Sequence, residues 1–131
     1  MRYLLTIFVD ESTFAGATAE DRAGMSAAYA DLTMQLDAAG VLRGGDGLQP
    51  SATATTVRVR DGEPLLTDGP FAETREQLGG YFLLECADLD EAVRWAAEVP
   101  GAQWGAVEVR PVMVYEDPRM GSANREAAAR G

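Results

Sequence analysis

The chain has 131 residues, 47 % of them hydrophobic, which fits one ordinary domain with a real core and leaves no apolar run as long as a membrane span. Its formal net charge of −10 repels phosphates and therefore argues against nucleic acid or an anionic membrane as a partner. Histidine and lysine are both absent, which excludes the commonest general base, Schiff-base chemistry and the lysine of a phosphate-binding loop.

The first third of the chain predicts a strand, a long helix and a second strand. Residues 2–9 are apolar and β-prone, and they run into acidic residues without a cleavage site, so we expect a strand instead of a signal peptide, and a cytoplasmic protein. Thr18 and Asp21 form a capping box, and apolar residues then recur at helical spacing until Gly40 ends the helix. Residues 41–47 start as a strand and break up into glycines, which indicates a bulge or a bend.

The rest of the chain predicts a hairpin, a strand, a second helix and a last strand. Residues 53–60 alternate as in a strand, Asp61-Gly62 is a hairpin signal, and the next residues form the returning arm. A strand at residues 81–87 precedes a helix that begins after Asp88 and ends before Pro100-Gly101. The last strand, residues 107–114, contains a proline and is therefore expected at an edge or a bulge.

The predicted order, β-α-β-hairpin-β-α-β, is that of an α+β domain of the ferredoxin-like, split βαβ type. We place this single domain at residues 1–115 and expect residues 116–131 to form a flexible C-terminal tail. The first strand and the strand at residues 81–87 are apolar on both sides, but helices cover only one face of such a sheet. We therefore expect a homodimer that covers the other face, with a pocket between sheet and helices or between subunits.

Residues 68–81, Asp-Gly-Pro-Phe-Ala-Glu-Thr-Arg-Glu-Gln-Leu-Gly-Gly-Tyr, resemble the signature of the DGPF-domain group within the YCII-related family. Residues 45–50 and 107–111 are similar to the same group, and the resemblance covers roughly residues 1–115. It implies a ferredoxin-like subunit that forms a dimeric α/β barrel. Many relatives are hypothetical proteins whose genes lie beside those of extracytoplasmic-function sigma factors, so an association with a sigma factor is expected by analogy alone.

Some more distant YCII-like relatives are enzymes acting on aromatic substrates, associated with a histidine early in the first helix and an aspartate near the end of the second. By its spacing, Tyr29 occupies the place of that histidine, and Val99 occupies the place of the aspartate. A tyrosine titrates at about pH 10, and a valine can neither orient it nor stabilise its charge. The chemistry of the His/Asp pair therefore does not transfer to this chain.

Three residues are candidates for proton transfer, namely Asp68, Glu73 and Tyr29. Asp68 is also explained as a turn cap before Gly-Pro. If residues 72–78 form a helical turn, Glu73 and Glu76 lie on one side, where they either share acid and base roles or form a solvated face. The candidate ligand pocket adds Asp10, Phe71, Glu76, Tyr81 and Trp104.

Two functional classes remain. One is a dimeric small-molecule-binding or sensing module with an acidic, aromatic-lined pocket for a small organic ligand. The other is a small lyase, isomerase or dehalogenase that uses carboxylate or tyrosine acid-base chemistry. The sequence favours the binding module because the His/Asp pair and a convincing nucleophile are absent; Cys86, the only cysteine, is interpreted as buried. A metal would need an all-oxygen cage, and no Asp-x-Asp-x-Asp-Gly pattern occurs, so neither a metal nor a cofactor is expected.

Overall fold

A computed structural model of the chain describes residues 1–117, 119 and 120. Its helices and strands are β1 (Arg2–Val9), α1 (Ala19–Ala38), β2 (Leu42–Gly47), β3 (Thr55–Arg60), β4 (Glu63–Asp68), β5 (Gln77–Glu85), α2 (Leu89–Ala97) and β6 (Ala106–Pro111). Short 3₁₀ turns lie at Glu11–Phe14, Ser51–Thr53 and Pro100–Gln103. The predicted α+β class and order of elements are confirmed, and they are compatible with a ferredoxin-like fold. Most of the predicted tail, residues 118 and 121–131, lies outside the described residues.

The main sheet has four antiparallel strands in the order β2-β5-β1-β6. Leu5 in the centre of β1 lies opposite Phe82 of β5 on one side and opposite Val109 of β6 on the other. Pro111 ends the edge strand β6, where a missing N–H disrupts no ladder, as predicted. The described sheet is open, with edges at β2 and β6, so a dimeric barrel would require a second copy of the chain and stays a prediction.

The glycine-rich segment after α1 is more regular than its sequence suggests. The predicted bulge is present as a register irregularity between Leu42 and Gly44. Pairing with β5 then continues through the glycines as far as Gly47, because that neighbour supplies hydrogen-bonding groups along the whole segment. Strand β5 begins at Gln77, before the predicted start at Tyr81, because Gln77 and Leu78 pair with Val9 and Phe8 of β1.

Both helices begin where their capping residues predict. The hydroxyl of Thr18 accepts a hydrogen bond from the N–H of Asp21, whose carboxylate accepts one from the N–H of Thr18. The carboxylate of Asp88 accepts a 2.9 Å hydrogen bond from the N–H of Glu91. These bonds satisfy backbone donors that a helix N-terminus leaves free, which stabilises each helix start. Neither helix of the described residues combines the length and apolar character needed to cross a membrane.

The core lies between the two helices and one face of the sheet. Alternate residues of β1 and β5 point into it, and they pack against buried residues of α1 and α2: Tyr3, Leu5, Ile7, Phe82, Leu84, Leu32, Leu36, Ala92 and Ala96. The intervening residues Leu4, Phe8 and Leu83 point to the opposite face and are half-buried. Because both helices pack on the same face, this second face is covered by neither.

Strands β3 and β4 form a separate two-stranded hairpin. Asp61 and Gly62 form its turn with φ angles of 52° and 77°, the left-handed backbone that the Asp-Gly pair predicted. The first strand starts at Thr55 and the second runs from Glu63 to Asp68, close to the predicted bounds. Nearly every residue of the hairpin is exposed.

Candidate functional site

A cavity of about 380 Å³ lies between the N-terminal half of α1 and the main sheet. We call it the α1–sheet cavity. Its apolar side chains come from three parts of the chain that meet only in the fold: Ile7, Val9, Phe14, Met25 and Phe82. Tyr29 supplies a hydroxyl group, and five glycines supply bare backbone: Gly45, Gly47, Gly79, Gly80 and Gly101. Asp46 and Tyr81 complete the lining.

The glycines of β2 and β5 create the floor of the cavity. Gly45 lies opposite Phe82, and Gly47 lies opposite Gly80. A Cβ atom on Gly45 would lie only 2.7 Å from Cδ1 of Phe82, and one on Gly80 would lie 2.9 Å from the carbonyl oxygen of Asp46. A Cβ on Gly47, however, would meet no atom within 4 Å. Glycine inside a strand permits such close approach: the Phe82 ring lies against Gly45, the backbone of β2 lies against Gly80, and the space above Gly47 stays open.

Tyr29 provides the polar group on the helix side of the cavity. Its hydroxyl oxygen accepts a 3.2 Å hydrogen bond from the N–H of Gly101, a buried residue. Its ring stacks on Phe82 with centroids 6.5 Å apart and an interplanar angle of 22°. Burial raises the pKa of Tyr29, and the hydrogen bond from Gly101 opposes this only in part. The hydroxyl is therefore protonated at neutral pH and is available as a hydrogen-bond donor.

The 3₁₀ turn Glu11–Phe14 carries Phe14, whose side chain, which we call the Phe14 wall, lines one side of the cavity. Hydrogen bonds attach this turn to the rest of the fold. The carboxylate of Glu11 accepts from the N–H of Ser51 at 2.7 Å and from its hydroxyl at 2.8 Å. The N–H of Glu11 donates to the side-chain oxygen of Gln77 at 2.9 Å. Glu11 thus joins the turn both to β5 and to the loop before β3.

Two of the predicted pocket residues, Asp10 and Trp104, flank this turn. The carboxylate of Asp10 accepts hydrogen bonds from the hydroxyl and the N–H of Ser12, at 2.6 and 3.0 Å. These bonds, with a smaller contribution from the charge of Arg75, lower the pKa of Asp10. Trp104 contacts Phe14 edge to face, with ring centroids 6.4 Å apart. Both residues support the wall, and neither is among the residues that line the cavity.

Tyr81 lines the cavity but directs its side chain to the opposite face of the sheet. Its neighbours Gly80 and Phe82 face the helices, so strand alternation places Tyr81 on the uncovered face. There its hydroxyl donates a 3.2 Å hydrogen bond to the carboxylate of Asp46 on β2. That bond and the negative charge of Asp46 raise the pKa of Tyr81.

The predicted residues within residues 68–76 of the signature, a segment that we call the signature loop, are not among those that line the cavity. Asp68 is exposed at the end of β4, Glu73 is exposed in the following loop, and Phe71 is 77 % exposed. Glu76 is half-buried beside Gly105. A Cβ atom built on Gly105 would lie 3.1 Å from the carboxylate of Glu76. Residues 71–76 form bends instead of a helical turn, because Gln77 already enters the sheet. The structure therefore separates Asp68 and Glu73 from Tyr29, and their proposed roles stay predictions.

Several lining residues escaped the sequence analysis. Met25 and Phe82 fit the patterns of a helix and a strand, and Gly101 marks a helix end, so the sequence does not assign these residues to a pocket. The detectable signal was the pair of glycine clusters, residues 44–47 and 79–80, which sit in neighbouring strands. Facing glycines predict a hollow in the sheet, but only if the pairing of β2 with β5 is known.

The charges around the cavity are few. Among the described residues that line it, Asp46 is the single charged one. Within residues 1–117, 119 and 120, no three histidine, cysteine, aspartate or glutamate side chains come together as ligands for a metal ion. Cys86 is buried in the core, where loss of hydration raises its pKa to about 11 and keeps it a thiol.

This chain is similar to a known protein family and to a known bacterial protein. A family model described as the YCII-related domain matches residues 1–116 of this chain. The chain is also 36 % identical over 118 residues to an uncharacterised protein of Rhizobium meliloti (strain 1021). That similarity covers 88 % of this chain and 95 % of the rhizobial protein. Both matches extend over the fold described above, and neither description names a ligand or a reaction.

Proposed function

The chain belongs to the YCII-related family, and we propose that it is a dimeric small-molecule-binding or sensing module whose binding site is the α1–sheet cavity. The observation that carries this proposal is the cavity itself, with about 380 Å³ of space, apolar walls and one hydroxyl donor. Ligand sites in proteins are typically concave and mostly apolar, with a few polar groups that orient the ligand. The sequence of residues 68–81 supports placing the chain in the DGPF-domain group of the family.

The positions of the acid-base groups favour binding over catalysis. A general base must reach the proton that it removes, directly or through one water. Asp68 and Glu73 are exposed on the signature loop and do not line the cavity. Tyr29 does line it, but its raised pKa makes it a poor base at neutral pH. A lyase, isomerase or dehalogenase reaction thus has less support than reversible binding.

A test of the binding site uses Gly47, where a larger side chain has room. No atom lies within 4 Å of a Cβ built on Gly47, and its φ is not in the left-handed region, so Gly47→Leu should fill the cavity without strain. Gly24 on α1 is also open but lies outside the cavity, which makes Gly24→Leu the matched control. A panel of neutral, acidic and basic aromatic compounds should yield binders by thermal shift, since a ligand that binds the native state raises its stability.

We expect Gly47→Leu to abolish the thermal shift and Gly24→Leu to preserve it. A panel without binders would contradict the proposed function for this class of compound. Binders that Gly47→Leu does not affect would move the binding site elsewhere on the protein.

The dimer is supported by two apolar surfaces that the described chain leaves uncovered. The first is the sheet face opposite the helices, with Leu4, Phe8 and Leu83 half-buried and Leu78 exposed. The second is one face of the hairpin, where Val57 lies opposite Leu66 and Val59 lies opposite Pro64. Isolated two-stranded hairpins are marginally stable in water. A twofold dimer in which these surfaces pack on a second copy would bury both.

The mass of the protein in solution tests the dimer. Light scattering after size exclusion should give twice the 14.0 kDa mass of the chain. Val59 on the hairpin is 60 % exposed and Val93 on α2 is 49 % exposed, so a charge at either position should leave the subunit folded. We expect Val59→Glu to shift the protein to monomers and Val93→Glu to leave the dimer intact. A monomeric wild type at micromolar concentration would contradict the proposed assembly.

A further inference from the structure

We propose that the natural ligand of the α1–sheet cavity is an uncharged planar compound of one or two rings that presents a hydrogen-bond acceptor to the hydroxyl of Tyr29. This inference rests on the proposed function, because it names the class of compound that the same cavity takes. It excludes carboxylates and other anions, which are otherwise common among small aromatic metabolites.

The charge argument starts from the position of the basic residues. All 11 basic residues of the chain are arginines, and none of them is among the described residues that line the cavity. Asp46, the single charged residue in the described part of the lining, directs its carboxylate to the Tyr81 hydroxyl on the opposite sheet face. An anion moved from water into an apolar site loses hydration that a cation or several hydrogen-bond donors must replace, and among the described lining side chains only the Tyr29 hydroxyl on the helix side is available to donate. The net charge of −10 repels it further.

The acceptor argument follows from the hydrogen bonds of Tyr29. A phenol oxygen can accept a hydrogen bond, and its O–H can donate one. The oxygen of Tyr29 accepts from the N–H of Gly101 at 3.2 Å. Among the described residues no acceptor is bonded to the O–H, although the side chain is half-buried and lines the cavity. A ligand carbonyl or ether oxygen would satisfy this donor, which is costly to leave unpaired.

The shape argument follows from the floor and the wall. The Phe82 ring covers Gly45, whereas the space above Gly47 is open, so a flat ring can lie on the strand backbone beside the Phe82 ring. The rings of Tyr29 and Phe82 are inclined by only 22° and form an aromatic wall beside that floor. The volume of about 380 Å³ corresponds to the share of about a dozen water molecules. It therefore accommodates one or two rings with a short substituent.

Three probes of nearly the same size separate these arguments. We would titrate 2-acetylnaphthalene, 2-ethylnaphthalene and 2-naphthoate into the 131-residue protein at pH 7 and measure affinities by calorimetry or NMR. We expect the ketone to bind about threefold to tenfold more tightly than the hydrocarbon, which is the range of one net hydrogen bond. We expect the carboxylate to bind at least about tenfold more weakly than the ketone, because its charge has no cationic partner.

Two variants complete the experiment. Tyr29→Phe should remove the preference for the ketone over the hydrocarbon while leaving the hydrocarbon's affinity nearly unchanged. Gly47→Leu should weaken all three probes, and circular dichroism establishes that each variant is folded. If 2-naphthoate binds as tightly as the ketone and remains sensitive to Gly47→Leu, the ligand class is wrong and the proposed site survives. A ketone preference that persists in Tyr29→Phe also overturns the ligand class. If no probe binds, or if Gly47→Leu has no effect on binding, the proposed site fails as well.

Discussion

The backbone N–H of Gly101 donates a 3.2 Å hydrogen bond to the hydroxyl oxygen of Tyr29, 72 positions earlier in the chain. The bond joins the 3₁₀ turn after α2 to the middle of α1. A Cβ atom on Gly101 would lie 2.9 Å from the same oxygen and 3.1 Å from Cγ2 of Ile7, so only glycine fits there without a shift. Gly101 and Tyr29 both line the α1–sheet cavity, and Gly101 lies beside Ile7 and Val9 of β1.

Removal of the Tyr29 hydroxyl should cost stability as well as ligand selectivity. Tyr29→Phe leaves the N–H of Gly101, a buried residue, without its acceptor, and we expect the free energy of unfolding to fall by about 1–2 kcal/mol. Urea denaturation measures this change. Tyr115→Phe, at an exposed tyrosine, is the control and should stay within about 0.5 kcal/mol of wild type. Equal effects of the two substitutions would show that the hydrogen bond contributes nothing.

An added methyl group at Gly101 should displace Tyr29. Gly101→Ala places its Cβ atom against the Tyr29 hydroxyl and Ile7, and overpacking of this kind costs about 1–3 kcal/mol. Gly24→Ala is the matched control, because its Cβ enters open space on α1 and alanine favours a helix by about 0.5–1 kcal/mol. We expect the melting temperature to fall for Gly101→Ala and to rise for Gly24→Ala. A Gly101→Ala protein as stable as wild type would mean that α1 moves freely at this point.

These two residues also show what the sequence could and could not predict. The helical spacing of Met25, Tyr29, Leu32 and Leu36 placed Tyr29 on the inner face of α1, because that periodicity is a local property of the chain. The partner of Tyr29 could not be found in the same way. Gly101 reaches it only through the crossover of α2 and the packing of both helices on one sheet face, and such long-range contacts leave no local pattern.

The attachment of the Glu11–Phe14 turn should control the Phe14 wall. Glu11→Ala removes the acceptor for both the N–H and the hydroxyl of Ser51. We expect faster hydrogen exchange in residues 10–17 and an affinity for 2-acetylnaphthalene that is several-fold lower, because a displaced Phe14 opens the cavity. Glu20→Ala, an exposed acidic residue of α1, controls for the loss of charge. Unchanged exchange and affinity in Glu11→Ala would show that these bonds do not hold the wall.

The thiol of Cys86 should make stability depend on alkaline pH. Burial, aided by the nearby Glu91, raises its pKa from 9.0 to about 11. An acid with a higher pKa in the folded than in the unfolded chain contributes stability that is complete below the unfolded value and is lost as the pH rises through the folded value. We therefore expect a loss of about 1–2 kcal/mol between pH 9 and 11, part of which Cys86→Ala should remove. Tyr29 adds a loss of the same sign.

Parallel pH profiles for the wild type and Cys86→Ala would contradict this assignment. The same burial predicts that the folded protein reacts slowly with thiol reagents at pH 8 and rapidly once urea unfolds it.

The signature loop carries half of the site candidates that the sequence offers, but none of its residues lines the cavity. Residues 68–81 carry a dense set of carboxylates and aromatics, which led to Asp68, Glu73 and Phe71 as site candidates. In the fold, the first part of this segment is an exposed loop, and its last residues, Gln77 to Tyr81, enter β5. The glycines at 79 and 80, which carry no chemistry of their own, are the part of the signature that shapes the cavity. Side-chain chemistry is visible in a sequence, whereas missing volume becomes visible only when strands are paired.

The most direct test of the α1–sheet cavity as the ligand site is a titration of the ¹⁵N-labelled protein with 2-acetylnaphthalene, followed by amide NMR. We predict that the largest shifts fall on four of the five glycine amides that line the cavity, those of Gly45, Gly47, Gly80 and Gly101. Shifts concentrated on the hairpin or on α2, with the four glycine amides unmoved at saturation, would contradict the account.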